Sequence, residues 1–223
     1  MNQLQLTPVV IRLLIINGAL WLLLQIGLNV QPGLTEDIYT NYLSLWKLDI
    51  LHYQAEPIRA YTSERFNPIQ LVSSFFTHDA SSLRHLLFNS IFLIFLGPMT
   101  ERVLGTNRFI RFYMFCGVIG GLIVTLFDPS PSPVVGASGA LYGVATAFAY
   151  YFPDTKLSLL FLPISFTARQ MIIGLTAIAA FFVVMQVTGN EMGGRISHFG
   201  HLSGVVAAVL YFQIERYLPF KNN

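Results

Sequence analysis

This sequence contains a succession of long apolar runs. Several runs approach the roughly 20 apolar residues that an α-helix needs to cross a bilayer. Only 11% of the 223 residues are charged, whereas a soluble domain averages about 25%, so the chain lacks the charge to cover a water-facing surface. We therefore predict an all-α membrane protein that forms one domain over residues 1–223. The six predicted helices are 9–29, 84–101, 109–127, 137–152, 168–188 and 199–218.

Net charge, cysteine content and the first apolar run exclude several classes of protein. The formal net charge of +2 is small and the arginines are scattered, which argues against a nucleic-acid partner. The single cysteine, Cys116, lies within an apolar run, so we predict a small core residue and no disulfide framework. The first apolar run is long and is not followed by an A-x-A site, which predicts a retained membrane span rather than a cleaved signal peptide.

The distribution of lysine and arginine predicts the orientation in the lipid bilayer. With the N-terminus inside, eight of these residues fall in inside segments and five in outside segments, and the cluster from Arg102 to Arg111 is the clearest part of the bias. Both termini are therefore predicted to be cytoplasmic. The long segment of about 30–83 carries Trp46 and several tyrosines, which predicts a partly structured element at the membrane interface.

Three of the predicted helices carry unusual polar residues at a similar depth near the outer surface. His85 and Asn89 are four residues apart, so they share one face of the second helix. Ser138 and Tyr142 have the same spacing at the start of the fourth helix, and the sixth helix begins SHFGHLSG, which contains His201. Polar groups kept inside a bilayer usually face the bundle interior and mark a functional site.

The stretch GASGALYG at 136–143 has two interpretations. Small residues at four-residue spacing, as in this stretch and in the sixth helix, are an ordinary means of packing membrane helices closely. By itself the stretch therefore predicts a packing role for Ser138. The same small residues would also let the fourth and sixth helices approach closely enough for Ser138 to meet His201.

These residues permit nucleophilic chemistry. A serine hydroxyl is a weak nucleophile until a base takes its proton, and neutral histidine is the usual base near pH 7. The side chains of His85 and Asn89 and the backbone N–H of Ser138 could donate hydrogen bonds to an oxyanion. No Asp or Glu lies at this depth in the three helices, so we predict a Ser–His dyad without a third member, with Tyr142 packing on His201. We predict no metal and no cofactor.

Together these residues resemble the rhomboid family of intramembrane serine proteases. The motifs follow the family's order on the expected helices, and the resemblance covers roughly residues 66–215. They are H-x-x-x-N at His85 and Asn89, G-x-S-G at Gly136, Ser138 and Gly139, a tyrosine at Tyr142, and H-x-x-G at His201 and Gly204.

The resemblance implies a six-transmembrane-helix rhomboid-like bundle that acts as a serine endopeptidase on transmembrane segments of other membrane proteins. It implies Ser138 as the nucleophile and His201 as the general base. His85 and Asn89 would be the oxyanion-hole donors, and Tyr142 would support His201. The substrate would arrive sideways by displacement of the fifth helix and would unwind locally before cleavage.

Further expectations concern the surroundings of the dyad. His198 is expected to join a polar network, and His78 is expected to be a structural hydrogen-bonding residue. The loop 189–197 contains three glycines and is predicted to form a mobile cap. The minimal six-helix length indicates, by analogy, a bacterial cytoplasmic membrane.

Three alternatives compete with the protease interpretation. A zinc hydrolase could use His85, His198 and His201, but the chain lacks H-E-x-x-H and an evident carboxylate ligand. A catalytically inactive rhomboid-like protein would bind membrane helices without cutting them, although such relatives usually lack the serine or the histidine. A transporter or channel would spread its polar residues through the depth of the membrane rather than gather them near one face.

Overall fold

The computed structural model describes residues 5–48, 50, 55–158, 164–188 and 196–217. Its helices are α1 Pro8–Val30, α2 Pro32–Ile38, α3 Glu56–Arg65, α4 Gln70–Ser73, α5 Leu83–Leu104, α6 Thr106–Phe127, α7 Ser138–Tyr151, α8 Ala168–Val187 and α9 His198–Tyr217. A π-helical turn spans Tyr39–Leu43. Strands β1 Lys156–Ser158 and β2 Ser165–Thr167 pair antiparallel, with Lys156 opposite Thr167.

The six long helices lie on the six predicted ranges, and their described ends differ from the predicted ones by at most three residues. The predicted end of the sixth helix, residue 218, lies outside the described residues. By length and composition, α1, α5, α6 and α8 can each cross a membrane. The prediction of an all-helical membrane bundle is therefore confirmed. α7 has only 14 residues, and the prediction of six crossings stays a prediction.

Local sequence explains where several helices begin and end. α1 starts with Pro8, whose missing N–H costs nothing in the first turn. Gly105 has φ of +79°, a conformation that favours glycine, and it joins α5 to α6 without an intervening loop. α8 starts with a capping box in which Gln170 N–H donates to Thr167 Oγ1 at 3.2 Å and Thr167 N–H donates to Gln170 Oε1 at 2.8 Å.

Polar contacts identify one end of the bundle. The Glu101 carboxylate, near the end of α5, accepts the backbone N–H groups of Val9 and Val10 at 3.1 and 3.2 Å, at the start of α1. Arg108, in the first turn of α6, forms an ion pair with Glu215 near the end of α9. Starts and ends of the long helices thus meet at this end, as an up-and-down bundle requires, and Ser138 and His201 lie toward the other end.

The interior and the perimeter of the bundle are both apolar. α9 packs against α6, α7 and α8, and α7 also packs against α5 and α6. Buried aromatic residues such as Phe109, Phe112 and Phe148 fill the interior. On the perimeter, Leu23 and Ile173 are more than half exposed. Large apolar areas of this kind are rare on soluble monomers and suit contact with lipid.

The described residues between α1 and α5 are folded, which confirms that this segment is partly structured. Trp46 is buried, and its indole N–H donates to the carbonyl of Thr40 at 2.7 Å. The Arg65 guanidinium lies over the rings of Trp46 and Tyr61, 5.5 and 4.3 Å from their centroids. The position of this segment at the membrane interface stays a prediction.

Candidate active site

A glycine turn places Ser138 at the first position of α7. Gly136 has φ of +119°, which L side chains rarely adopt, and its N–H donates to the carbonyl of Ser74 at 2.9 Å. A Cβ atom at Gly136 would lie 2.6 Å from Nε2 of His85. The absence of a side chain therefore serves both the turn and the approach of the His85 ring.

Glycines bring α7 and α9 into backbone contact. A Cβ atom at Gly139 would lie 3.1 Å from the carbonyl oxygen of Gly200, and one at Gly204 would collide with the carbonyl oxygen of Gly139. A Cβ atom at Gly143 would lie 2.6 Å from Sγ of Cys116, on α6. The close approach predicted from the small residues is confirmed.

The helix contact brings Ser138 and His201 together. Oγ of Ser138 lies 3.0 Å from Nε2 of His201, within hydrogen-bonding distance. In the tautomer with its hydrogen on Nδ1, the imidazole accepts the serine hydroxyl hydrogen at Nε2. Within the described ranges, Nδ1 of His201 has no hydrogen-bond partner, so no carboxylate there orients the ring.

Two aromatic rings contact the imidazole of His201. The Tyr142 ring is stacked on it, with centroids 4.3 Å apart and planes inclined by 7°. The contact expected from the four-residue spacing is therefore present, whereas its role in catalysis stays a prediction. His198 meets His201 edge-on at 5.7 Å and stacks on Phe182 of α8 at 4.5 Å. His198 thus connects the first turn of α9 to the fifth long helix.

The predicted oxyanion donors lie on α5 beside the glycine turn. Nδ1 of His85 accepts the backbone N–H of Asp79 at 3.4 Å, while its Nε2 faces Gly136. The Asn89 side chain is buried, and its Nδ2 donates to the carbonyl of His85 at 2.9 Å. The structure therefore brings His85 to the turn before Ser138, and the Asn89 amide bonds within its own helix. The oxyanion roles of both residues stay predictions.

His78 occupies a buried position next to His85. The side chain is fully buried, and the two ring centroids are 5.2 Å apart. Neither ring nitrogen has a hydrogen-bond partner of good geometry among the residues described, and the expected hydrogen-bonding role stays a prediction. Burial, with a smaller effect from His85, lowers the pKa of His78 to about 4. The residue is therefore neutral near pH 7 and packs as an aromatic ring.

Sequence reasoning missed a buried ion pair near the site. Lys47 Nζ lies 3.6 Å from Asp128 Oδ2, and the two side chains are 1% and 0% exposed. Ser197 Oγ donates to the same Asp128 oxygen at 3.2 Å. The sequence shows Lys47 as one charge in a long loop and Asp128 as the residue that ends an apolar run. Neither pattern indicates that the two side chains meet.

Two expectations concern a metal and a cap. In the part of the chain that the structure describes, no group of three or more His, Cys, Asp or Glu side chains is arranged to hold a metal ion. His85, His198 and His201 therefore do not form the ligand set of the zinc alternative.

Of the predicted cap 189–197, residues 189–195 lie outside the described residues.

Three relatives illustrate the similarity to known proteins. The presenilin-associated rhomboid-like protein, mitochondrial, of Rattus norvegicus is 29% identical over 186 residues, which are 80% of this chain and 46% of that protein. The rhomboid protease GluP of Bacillus subtilis is 28% identical over 127 residues, 56% of this chain and 22% of that protein. The rhomboid protein 1, mitochondrial, of Saccharomyces cerevisiae is 30% identical over 154 residues, 64% of this chain and 40% of that protein. The chain thus spans about half or less of the length of these relatives.

The family comparison covers the site itself. The family described as Rhomboid domain matches residues 65–217, well over half of the chain. This range contains the glycine turn, the paired Ser138 and His201, and the flanking residues of α5. The helices that can span a membrane, and the extent of this match, show that the chain is an integral membrane protein and belongs to the rhomboid family.

Proposed function

We propose that this protein is an intramembrane serine endopeptidase that cleaves transmembrane segments of other membrane proteins. The observation that carries the proposal is the 3.0 Å separation between Ser138 Oγ and His201 Nε2. A hydroxyl paired with an imidazole base at the start of a helix suits nucleophilic acyl transfer. One relative is named a rhomboid protease, which supports the same reaction class.

In the proposed reaction, Ser138 Oγ attacks the carbonyl carbon of the scissile peptide bond while its proton passes to His201 Nε2. His201 then gives this proton to the leaving amine nitrogen as the C–N bond breaks, and an ester remains on Ser138. His201 next takes a proton from a water molecule as the water oxygen attacks the ester carbonyl carbon. It returns this proton to Ser138 Oγ as the ester C–O bond breaks, which releases the carboxyl product and restores the hydroxyl. The stacked Tyr142 ring would hold the imidazole in place during both transfers.

The negative oxygen of each tetrahedral intermediate needs hydrogen-bond donors. We assign this role to the side chains of His85 and Asn89 and to the backbone N–H of Ser138. Because Ser138 is the first residue of α7, its N–H has no acceptor within the helix. The His85 ring lies against Gly136, two residues before the nucleophile. The positions of the His85 ring and of the Ser138 N–H support the proposal that both donate to the same negative oxygen.

We further propose six membrane crossings in one domain, with both termini on the cytoplasmic side. A helix of 14 residues is roughly 21 Å long, against about 30 Å for the hydrocarbon core. With the end of α7 at the cytoplasmic face, Ser138 would lie below the outer surface rather than at it. Water would reach the dyad through the polar starts of α5, α7 and α9.

A substrate helix would reach Ser138 sideways, by displacement of α8. Only 6% of the most apolar window of α8 is buried in the bundle, against 44% for α5 and α6. α8 is therefore the least anchored of these helices. The substrate would need to unwind locally, because an intact helix keeps its carbonyl groups in hydrogen bonds.

The identity of the membrane is also a proposal. We propose a bacterial cytoplasmic membrane, as one relative named above is from Bacillus subtilis, whereas the other two are mitochondrial proteins.

The proposal is tested by cleavage of a single-span substrate with the purified protein in detergent. Wild type would be assayed beside Ser138→Ala and His201→Ala, and only wild type is expected to cut. Equal cleavage by all three would assign the activity to other residues. Binding of the substrate helix by all three with no cleavage would favour the inactive, helix-binding alternative.

A further inference from the structure

The buried ion pair of Lys47 and Asp128 joins three segments that are far apart in sequence. Lys47 belongs to the segment between α1 and α5, Asp128 follows the last residue of α6, and Ser197 precedes α9. Both charged side chains are almost fully buried. Because water does not solvate them, their charges are stabilised by each other and by hydrogen bonds within the protein.

The lysine holds the loop that leads to Ser138. Lys47 Nζ donates to the carbonyl of Ser130 at 2.6 Å and also to the carbonyl of Ser132. On one side of the lysine, Leu45 and Val134 exchange backbone hydrogen bonds, both at 2.9 Å. The segment around Lys47 is thereby bound along the loop that ends in the glycine turn at Gly136.

The aspartate holds the start of the helix that carries His201. Asp128 Oδ2 accepts the hydroxyl of Ser197 at 3.2 Å, and Asp128 Oδ1 accepts the N–H of Ser130 at 2.9 Å. Ser197 Oγ in turn accepts the N–H of Gly200 at 3.0 Å, which caps the first turn of α9. The N–H of His201 donates to the carbonyl of Ser197 at 3.3 Å. Only one residue, Ser197, thus stands between the buried carboxylate and the backbone of His201.

We propose that Lys47 and Asp128 are positioning residues for the Ser138–His201 pair. Lys47 fixes the loop of the nucleophile, and Asp128 fixes the first turn of α9 through the Ser197 hydroxyl. This inference rests on the proposed function, since it assigns the pair a role in the same reaction. The ion pair touches neither Ser138 nor His201, so it acts through Ser197 and through the carbonyls of Ser130 and Ser132.

The competing explanation is that the ion pair only stabilises the fold. Replacing a buried ion pair by apolar residues of similar volume is often neutral or stabilising, whereas removing one partner is strongly destabilising. The double variant Lys47→Met/Asp128→Val therefore separates the two explanations. Its side chains are close in volume to the original ones, and it removes the hydrogen bond from Ser197.

The test compares this double variant with Ser197→Ala, Ser197→Thr and the matched control Ser203→Ala. Ser203 lies on the same helix and its hydroxyl bonds the carbonyl of the same Gly200, without a contact to Asp128 among the described residues. Each full-length variant is purified in detergent and its kcat, KM and thermal unfolding midpoint are measured with a single-span substrate. Hydrogen exchange of residues 198–203 is measured on the same samples.

We expect Ser197→Ala to lower kcat about tenfold, the effect of one hydrogen bond, with KM unchanged. Ser197→Thr, which keeps a hydroxyl, and Ser203→Ala are expected to stay within about twofold of wild type. The apolar pair is expected to unfold at the wild-type temperature or above, with kcat lowered at least as much as in Ser197→Ala. Adding Ser197→Ala to the apolar pair should then have no further effect, because both changes break the same link.

Full activity in the stable apolar pair, or in Ser197→Ala, would overturn the proposal. If wild type cleaves nothing, the proposed function fails, and hydrogen exchange still decides the positioning role. Faster exchange at residues 198–203 in the apolar pair, with wild-type exchange in Ser203→Ala, would support the link. Wild-type exchange in the apolar pair would contradict it.

Discussion

At the scale of single residues, the proposed chemistry depends on the orientation of one imidazole. His201 has a serine on Nε2 and a tyrosine ring on its face, and Nδ1 makes no hydrogen bond within the described chain. In a serine protease triad, a carboxylate on Nδ1 fixes the ring. Here the stacking of Tyr142 is the contact that can fix it instead.

Tyr142→Phe is expected to keep most of the activity, because phenylalanine preserves the stacked ring. Tyr142→Ala is expected to lower kcat by roughly 2- to 10-fold, since an aromatic pair contributes about 0.5–1.5 kcal/mol beyond burial. Measured kcat values for the two variants on one substrate check this. An equal loss in both variants would instead assign the effect to the phenol hydroxyl.

Asn89→Ala is expected to lower kcat on the order of 10²–10³-fold if Asn89 is an oxyanion donor. The matched control is Asn29→Ala on α1, because Nδ2 of Asn29 makes the same type of bond to the carbonyl four residues earlier, at 2.7 Å. Activity of Asn29→Ala should equal that of wild type. Loss of folding without a specific loss of kcat would show that Asn89 matters only for the packing of α5.

The Ser138–His201 pair could be predicted from the sequence, but the Lys47–Asp128 pair could not. Four-residue spacing within a helix fixes which side chains share a face and a depth, and glycine spacing indicates which helices approach. The ion pair depends on how an irregular segment folds back over the end of α6. No periodicity in the sequence indicates that path, and the backbone hydrogen bonds that fix it, such as those between Leu45 and Val134, are visible only in three dimensions.

At the scale of helices, the site depends on the contact between α7 and α9. The motif serine and histidine lie on different helices, so their separation follows the distance between the two backbones. Gly204 meets Gly139 at this contact without space for a side chain. The predicted helix ranges were accurate because apolar length and bounding glycines, prolines and charges are local signals. The tight contact followed from the small residues.

Gly204→Ala is expected to destabilise the protein by roughly 1–3 kcal/mol, the usual cost of overpacking, and to lower activity by separating Ser138 from His201. The matched control is Gly174→Ala on α8, where an added Cβ meets nothing within 4 Å. Thermal unfolding midpoints and cleavage rates in detergent check both effects. A Gly204→Ala protein as active and stable as Gly174→Ala would refute the tight contact.

At the scale of the whole molecule, the candidate active site lies at one end of the bundle and a contact that anchors α1 lies at the other. One end holds the paired Ser138 and His201, the other histidines of α5 and α9, and the Lys47–Asp128 pair. The other end holds α1 to the bundle through Glu101, which is 2% exposed. Its carboxylate accepts N–H groups at the positive start of a helix, where negative charge is favoured.

Glu101→Ala is expected to destabilise the protein by about 1–3 kcal/mol, because buried N–H groups of Val9 and Val10 lose their acceptor. At temperatures where the variant is folded, kcat should be close to wild type, since Glu101 lies at the opposite end from the dyad. Glu36→Ala, at an exposed position on α2, is the control. A loss of kcat in fully folded Glu101→Ala would contradict the separation of the two ends.

Activation of Ser138 by His201 can be measured by covalent labelling of the purified protein with a fluorophosphonate, with the modified residue located by mass spectrometry. We predict a single adduct on Ser138 in wild type, and no detectable adduct in His201→Ala that is folded by its thermal unfolding curve. An adduct on another serine, or labelling of Ser138 at the same rate without His201, would contradict a nucleophile activated by that histidine.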